Sequence, residues 1–128
     1  MLKRILAIDD EVGVTRMIKL NLETTGRYAV LMVNEAQSAH AAAQQFKPDL
    51  ILLDVMMPGM DGGEVAAELE SDPALKDIPI VYLTAAVTRK EADHKRLFSG
   101  GRRVVAKPIT LPELIDCIEE ALKERGSG

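Results

Sequence analysis

The sequence predicts an α/β domain in which helices cover both faces of a parallel sheet. Two observations indicate this class: five short apolar runs recur along the chain, and helical patterns separate them. Runs that are apolar throughout are typical of strands buried on both faces, and their alternation with helices is typical of a parallel sheet. A length of 128 residues with 47% hydrophobic and 28% charged residues fits one globular domain.

The predicted strands are the apolar runs Ile5 to Ile8, Tyr28 to Val33, Leu50 to Leu53, Ile80 to Leu83 and Val104 to Ala106. Between them, apolar residues recur at helical spacing, so each helix should turn one stripe toward the sheet. The stripes are Val14, Met17, Ile18 and Leu22 in the first helix, Ala36, Ala39, Ala43 and Phe46 in the second, and Leu111, Leu114, Ile115, Ile118 and Leu122 in the last.

Capping residues predict where the helices begin and end. Gly26 supplies a stop for the first helix, and Asn34 with Gln37 resembles a capping box that opens the second, which Pro48 ends. The same signature precedes three further helices, in the pairs Asp61 with Glu64, Thr88 with Glu91, and Thr110 with Glu113. We expect one domain over residues 1–125 and a flexible tail over residues 126–128.

Composition excludes several kinds of partner. Sixteen basic and twenty acidic residues give a net charge of −4, the opposite of what contacts with nucleic-acid phosphates require. The apolar runs are too short for a membrane span or an export signal. The single Cys117 excludes an internal disulfide and is expected near the core. The sequence therefore predicts a soluble cytoplasmic protein without a direct nucleic-acid or membrane partner.

Polar residues follow four of the predicted strands: Asp9 and Asp10, Asp54, Thr84, and Lys107. The carboxyl ends of parallel strands line the crevice where open α/β sheets bind ligands, so these groups should converge there. Two carboxylates about 4 Å apart repel by roughly 4 kcal/mol at an effective dielectric near 20, so they require a cation. Oxygen ligands favour Mg²⁺ over zinc or iron. His40 and His94 are predicted to be solvated surface residues.

With these residues at the strand ends, the chain resembles the receiver domains of bacterial two-component response regulators. The resemblance spans almost the whole chain and keeps every motif in the family's order and spacing. The matching segments are Ile8-Asp9-Asp10-Glu11, Leu52 to Gly62 (which contains Asp54-Val55-Met56-Met57-Pro58-Gly59-Met60-Asp61), Leu83-Thr84-Ala85 and Ala106-Lys107-Pro108. It implies a flavodoxin-like, doubly wound (βα)5 fold with a five-stranded parallel sheet in the order 2-1-3-4-5.

The resemblance also implies roles at the strand ends. Asp54 is similar to the phosphoacceptor, and Asp9, Asp10, Asp54 and the backbone carbonyl of Met56 are similar to the ligands of Mg²⁺. Thr84 and Lys107 resemble the groups that contact the phosphoryl oxygens and relay the change through Pro108. The resemblance also implies a cis peptide bond between Lys107 and Pro108. An ionised carboxylate can attack phosphorus directly if nearby cations neutralise the phosphoryl oxygens.

Three positions depart from the family's pattern. An aromatic residue normally stands where this chain has Val104, so an aromatic rotamer switch cannot operate there. Met56 and Ala86 occupy the positions that tune the lifetime of the phosphoryl group, and neither offers a polar group to orient water. We therefore expect a comparatively long-lived phosphoryl-aspartate.

The leading hypothesis is a Mg²⁺-dependent phosphoacceptor switch. We expect no enzymatic activity apart from assistance to its own phosphorylation and dephosphorylation. Its phosphoryl group would come from a histidine kinase or phosphotransfer protein. A downstream protein, or a missing effector domain, would dock near the fourth helix, fifth strand and fifth helix. Basic residues gather there, at 89–90, 95–96 and 102–103, as either a solvated face or a site for an acidic partner.

Other functions on this fold need different residues. A pseudo-receiver, which binds proteins without being phosphorylated, is the main alternative, although Asp54, Thr84 and Lys107 argue against it. Flavin binding would need a glycine- and hydroxyl-rich loop where Asp9 and Asp10 stand. A dehalogenase-like phosphatase would need an acid at Met56. The sequence leaves open whether the chain is a single-domain regulator or part of a larger protein.

Overall fold

The computed structural model describes residues 2–55, 57, 62–84, 103–107 and 109–127, and within them five parallel strands form one sheet. The strand order is β2-β1-β3-β4-β5, which confirms the doubly wound order 2-1-3-4-5. The strands are β1 (Lys3–Ile8), β2 (Tyr28–Val33), β3 (Leu50–Asp54), β4 (Ile80–Thr84) and β5 (Arg103–Ala106). All five coincide with predicted runs, with small extensions at four of them.

Four α-helices are described between and after these strands: α1 (Val12–Thr24), α2 (Ala39–Phe46), α3 (Gly62–Glu70) and α4 (Leu111–Ser127). The helix predicted after Thr88 lies outside the described residues, so the fifth predicted helix is α4 here. A 3-10 turn over Ala36–Ser38 precedes α2. None of the described helices combines the length and apolar composition that a bilayer crossing requires.

The core has two layers, one on each face of the sheet. Successive strand residues point to opposite faces, so Leu52 and Leu53 belong to different layers. The predicted stripes of α1 and α4 meet one face through fully buried Ile18, Leu22, Leu114 and Ile118, and buried Cys117 lies beside them. Ala39 and Ala43 of α2 pack with α3 on the other face, because alanine permits a close approach.

Gly26 ends α1 as predicted, whereas the predicted capping box does not form. Gly26 has a φ of 78°, a left-handed conformation that glycine adopts without steric cost. The residue that caps the 3-10 turn is Glu35, and its side chain makes no capping bond. Asn34 instead turns its amide toward the end of β1. Local spacing predicted a cap, but the Asn34 amide nitrogen donates instead to groups that the tertiary fold brings close.

The C-terminal helix continues into the segment predicted to be a flexible tail. Residues 126 and 127 belong to α4, two residues beyond the predicted domain end at 125. Once a helix is nucleated, each added residue gains a hydrogen bond at little further cost, so a short polar extension is readily accommodated. The helix therefore covers two of the three residues predicted to form a tail, and the flexibility of residues 126–128 stays a prediction.

His40 is half-buried between two acidic residues rather than solvated. Its Nε2 lies 2.9 Å from Asp72 Oδ2, and its Nδ1 lies 3.4 Å from Glu68 Oε1. The hydrogen bond with His40 is the main reason that the pKa of Asp72 is lowered, with help from the Ala74 N–H and from Gln44. This cluster joins α2 to α3 and the segment after it, partners that lie far from residue 40 in sequence.

An ion pair from α1 covers the backbone of β2, which is an edge strand. Lys19 Nζ donates to the Val30 carbonyl at 2.8 Å, and the Val30 N–H donates to Glu23 Oε2 at 3.0 Å. Lys19 and Glu23 also pair with each other at 2.9 Å. Both backbone groups of Val30 are thus satisfied without a further strand. Such coverage discourages pairing with another chain at this edge.

We expect Glu23→Gln to destabilise the protein by less than about 1 kcal/mol at pH 7, because the exposed pair is screened by solvent. The Val30 N–H and then Lys19 hold the pKa of Glu23 below its ordinary value of 4.5. A depressed folded pKa means that the stabilisation is present above 4.5 and is lost as the pH falls through the folded pKa. Urea unfolding across that window should show parent and variant converging. Glu35→Gln, at an exposed site, should show no such change.

Candidate phosphorylation site

The sheet brings the predicted site residues to one edge. Asp9 follows β1, Asp54 is the last residue of β3, Thr84 is the last residue of β4, and Lys107 follows β5. Ile8 pairs with Leu53, and Asp54 pairs with Leu83, so the strands end at nearly the same level. Parallel pairing of neighbouring strands therefore gathers residues that are almost one hundred positions apart.

Backbone hydrogen bonds continue past the strand ends and fix the segments that carry these side chains. The N–H of Val55 donates to the Leu83 carbonyl at 3.0 Å, and the N–H of Lys107 donates to the Thr84 carbonyl at 2.8 Å. The N–H of Asp9 donates to the Val33 carbonyl at 3.0 Å. The acidic, hydroxyl and amine side chains thus project from backbone segments that hydrogen bonds hold in place.

Three carboxylates form a cluster at this edge. One oxygen each from Asp9, Asp10 and Asp54 lies within 4.8 Å of the other two. Asp9 is fully buried and Asp54 is 4% exposed, whereas Asp10 is exposed. Buried carboxylates must be paired or coordinate a metal. The hard oxygen donors and the excess of negative charge fit a divalent cation such as Mg²⁺.

Lys107 is the nearest cation to this cluster among the described residues. Its Nζ lies 2.7 Å from Asp9 Oδ2, 3.2 Å from Glu11 Oε1 and 3.8 Å from Asp54 Oδ1. Partial burial by itself lowers the pKa of Lys107, but Asp9, assisted by Asp54 and Glu11, outweighs burial and holds the pKa above its ordinary value. One ammonium balances only one of the three carboxylates, so the cluster still attracts a cation.

Thr84 and Val104 are both buried on the neighbouring strands. Thr84 is 6% exposed and pairs in register with Ala106. Val104 is 8% exposed, packs in the layer that contains α2 and α3, and pairs with Tyr82 of β4. Val104 therefore has a packing contact with the strand that carries Thr84.

Several predicted site residues lie outside the described part of the chain. These are Met56, expected to supply a backbone carbonyl, Ala86, expected to affect phosphoryl lifetime, and Pro108, expected to relay the change. Asp61, His94 and Arg102 also lie outside the described residues. So do the basic residues at 89–90 and 95–96 in the predicted fourth helix.

Gly62 is a site residue whose role the sequence did not reveal. Its N–H donates to the Val55 carbonyl at 2.8 Å, so the start of α3 lies against the backbone that follows Asp54. A Cβ on Gly62 would meet the Asp54 carbonyl oxygen and the Val55 Cα, each at 2.8 Å. Only glycine allows this approach. The signal available in the sequence was the glycine pair that opens α3, which does not reveal its neighbour.

We expect Gly62→Ala to destabilise the protein by about 1–3 kcal/mol, because an inserted methyl group would have to displace backbone atoms. Gly13→Ala is a matched control: it lies in α1, and nothing approaches its Cβ position within 4 Å. Alanine favours helix there, so Gly13→Ala should be neutral or stabilising. Urea unfolding of both variants gives the comparison. Equal stabilities would mean that the backbone after Asp54 yields without cost.

Comparison with known proteins identifies the family. Residues 5–119 match the family described as "Response regulator receiver domain". The chain belongs to the receiver-domain family. This receiver domain is 41% identical to the phosphate regulon transcriptional regulatory protein PhoB of Pseudomonas aeruginosa over 98% of its length, but it covers only 54% of PhoB. It is 29% identical to the polar-differentiation response regulator DivK of Brucella anthropi, covering 95% of this chain and 98% of DivK.

Solved structures agree with this assignment. The receiver domain is similar to the Vibrio cholerae chemotaxis protein CheY4, with a TM-score of 0.82, 26% identity, and coverage of 94% of this chain and 99% of CheY4. The N-terminal domain of a response regulator receiver protein from Methanoculleus marisnigri gives a TM-score of 0.70 at 33% identity, covering 95% of this chain and 98% of that one. The predicted fold and family are thus confirmed. The chain spans about half the length of several curated relatives, including PhoB.

Proposed function

We propose that this receiver domain is a phosphoacceptor switch that takes a phosphoryl group on Asp54 and then changes its protein-binding face. The observation that carries the proposal is the convergence of buried Asp54, the acidic pair and Lys107 at one sheet edge. The donor would be a histidine kinase or phosphotransfer protein. Two-component receivers interact with kinases and downstream effectors, which supports this class of partner.

Asp9, Asp10, Asp54 and the backbone carbonyl of Met56 would hold Mg²⁺. When bound, the ion supplies positive charge that stabilises the phosphoryl oxygens during transfer. Asp54 itself is the nucleophile: a carboxylate oxygen forms a bond to phosphorus as the bond from phosphorus to the donor breaks. Lys107, whose ammonium already lies 3.8 Å from Asp54 Oδ1, would pair with a phosphoryl oxygen.

Thr84 and Lys107 would report the new phosphoryl group to the rest of the domain. The Lys107 N–H donates a hydrogen bond to the Thr84 carbonyl, which links the backbone segments that carry the two side chains. Val104 would allow Thr84 to move without an aromatic switch, and Pro108 would pass the shift to α4. We propose further that Met56 and Ala86, which offer no group to orient water, leave the phosphoryl group comparatively long-lived.

The output would be a change in protein binding rather than catalysis on another substrate. We propose that the effector docks near the fourth predicted helix, β5 and α4, in the cytoplasm. On the described part of that surface, Arg103 of β5 pairs with Glu120 of α4 at 2.9 Å and also contacts Glu124. Arg103 is therefore engaged within the domain, and an acidic partner would have to compete with these carboxylates.

The proposed function is tested by incubating the protein with Mg²⁺ and acetyl phosphate and measuring its intact mass. A single phosphoryl adduct that survives mild acid but not base is expected of an acyl phosphate. No adduct from folded protein would favour the pseudo-receiver, which binds partners without phosphorylation. Turnover of acetyl phosphate far beyond one equivalent would favour a phosphatase instead.

We expect Asp10→Asn to weaken Mg²⁺ binding and to leave the metal-free protein equally or more stable. The variant loses a charged ligand, which lowers affinity, and it relieves repulsion within the carboxylate cluster. Calorimetric titration with Mg²⁺ and thermal unfolding in EDTA give the two quantities. Asp116→Asn, an exposed site on α4, is the control and should alter neither. Parent-like Mg²⁺ affinity in Asp10→Asn would refute a ligand role for Asp10.

A further inference from the structure

Asn34 links the ends of two strands and a helix through its side-chain amide. It is the first residue after β2, and its Nδ2 donates to the Asp9 carbonyl oxygen at 2.8 Å and to Thr15 Oγ1 at 2.9 Å. An amide nitrogen has two N–H donors, so both are used. These two hydrogen bonds link the end of β2 to the end of β1 and to the first turns of α1.

Thr15 determines the orientation of the Asn34 side-chain amide, that is, which side Nδ2 and Oδ1 occupy. Thr15 is fully buried, and its hydroxyl donates its single proton to the Val12 carbonyl at 3.1 Å. The hydroxyl can therefore only accept from Asn34, which requires Nδ2 rather than Oδ1 on that side. With that orientation, the second N–H of Asn34 points at the Asp9 carbonyl.

The Asp9 carbonyl is part of the peptide group that joins Asp9 to Asp10. Because a peptide group is planar, holding the carbonyl oxygen also fixes the direction in which the chain enters Asp10. The same segment is held at two other points: the Asp9 N–H donates to Val33, and the Glu11 N–H donates to Asp9 Oδ1 at 2.9 Å. The backbone on both sides of Asp10 is therefore constrained.

Asp9 and Asp10 depend on this backbone to different degrees. Asp9 is fully buried and lies 2.7 Å from the Lys107 ammonium, so packing and charge hold its side chain. Asp10 is exposed, and its carboxylate reaches the cluster only in the direction that its backbone allows. A change in the Asp9–Asp10 peptide should therefore affect Asp10 first.

We propose that Asn34 is a positioning residue that aims Asp10 at the metal, and this inference rests on the proposed Mg²⁺-dependent function. Asn34 touches no reacting atom, since it acts through the Asp9–Asp10 peptide. Partners that orient metal ligands typically change metal affinity by about 10–100-fold when they are removed. A residue that only stabilises the fold would not affect Mg²⁺ affinity through Asp10.

The test is a double-mutant cycle read by calorimetric Mg²⁺ titration. Asn34→Leu keeps the approximate side-chain volume but removes both donors, and it should raise the Mg²⁺ Kd by about tenfold. In the Asp10→Asn background the same substitution should change the Kd by less than about twofold, because the charged ligand that Asn34 aims is already gone. Thr15→Val, which removes the acceptor that orients the amide, should weaken Mg²⁺ binding by a smaller factor than Asn34→Leu.

Thr24→Val is the matched control, because the exposed Thr24 hydroxyl also bonds an α1 carbonyl, that of Leu20, away from the cluster. It should leave the Mg²⁺ Kd unchanged. If Asn34→Leu does not fold, Asn34→Ser, which is too short to reach both acceptors, carries the same expectation. An unchanged Mg²⁺ Kd in a folded Asn34 variant would overturn this inference but not the proposed function. The same would follow if the Asn34 substitution raised the Kd by an equal factor in the Asp10→Asn background. A parent that binds no Mg²⁺ would contradict the inference and the proposed function together.

Discussion

Asp54→Asn should form no phosphoryl adduct with acetyl phosphate, while the parent forms one. The substitution keeps the shape of the side chain but replaces the charged oxygen that must attack phosphorus with an amide. Asp54 is 4% exposed at the end of β3, so an isosteric change should leave the packing around it intact. Because the nucleophile is lost outright, the expected effect is the disappearance of labelling rather than a graded decrease.

Intact-mass measurement after incubation with Mg²⁺ and acetyl phosphate gives the labelled fraction. Asp77→Asn is the matched control, because it makes the same chemical change at an exposed site outside the cluster, and it should be labelled like the parent. Circular dichroism of both variants shows whether the fold is retained. Labelling of folded Asp54→Asn at the parent's level would place the phosphoryl group on another residue.

Lys107→Met should destabilise the metal-free protein by about 3 kcal/mol, the low end of the cost of removing one partner from a buried ion pair. The side chain of Lys107 is 11% exposed and lies 2.7 Å from Asp9, which is fully buried. Methionine keeps much of the apolar stem, so the change mainly removes the ammonium. Asp9 and Asp54 then lose the nearest positive charge among the described residues.

Mg²⁺ should raise the free energy of unfolding more in Lys107→Met than in the parent. A ligand that binds only the folded state stabilises it, and the metal here would also replace the missing positive charge. Urea unfolding in EDTA and in excess Mg²⁺ provides the two comparisons. Lys76→Met, at an exposed site, should be parent-like in both. Parent-like stability of Lys107→Met in EDTA would show that the Asp9 carboxylate needs no partner.

The strands and the site positions were predictable because their signals are local. Each buried strand is a continuous apolar run, and each site residue follows such a run, so topology alone brings Asp9, Asp54 and Lys107 to one edge. The apolar stripe of α1 and the stop at Gly26 were predictable for the same reason. Periodicity and turn chemistry act between near neighbours in the chain, which a sequence displays directly.

Tertiary structure decided which partner each polar side chain takes. Asn34 has the spacing of a helix cap, yet its amide nitrogen donates to the Asp9 carbonyl and to Thr15, because folding brings these acceptors within reach. His40 has the neighbours of a solvated residue, yet α3 and the segment after it bring two carboxylates to its ring. Gly62 shows its role only where α3 meets the backbone of Asp54. A hydrogen bond or close contact depends on positions in space to within a fraction of an ångström, and residues far apart in sequence acquire those positions only when the sheet and its helices pack.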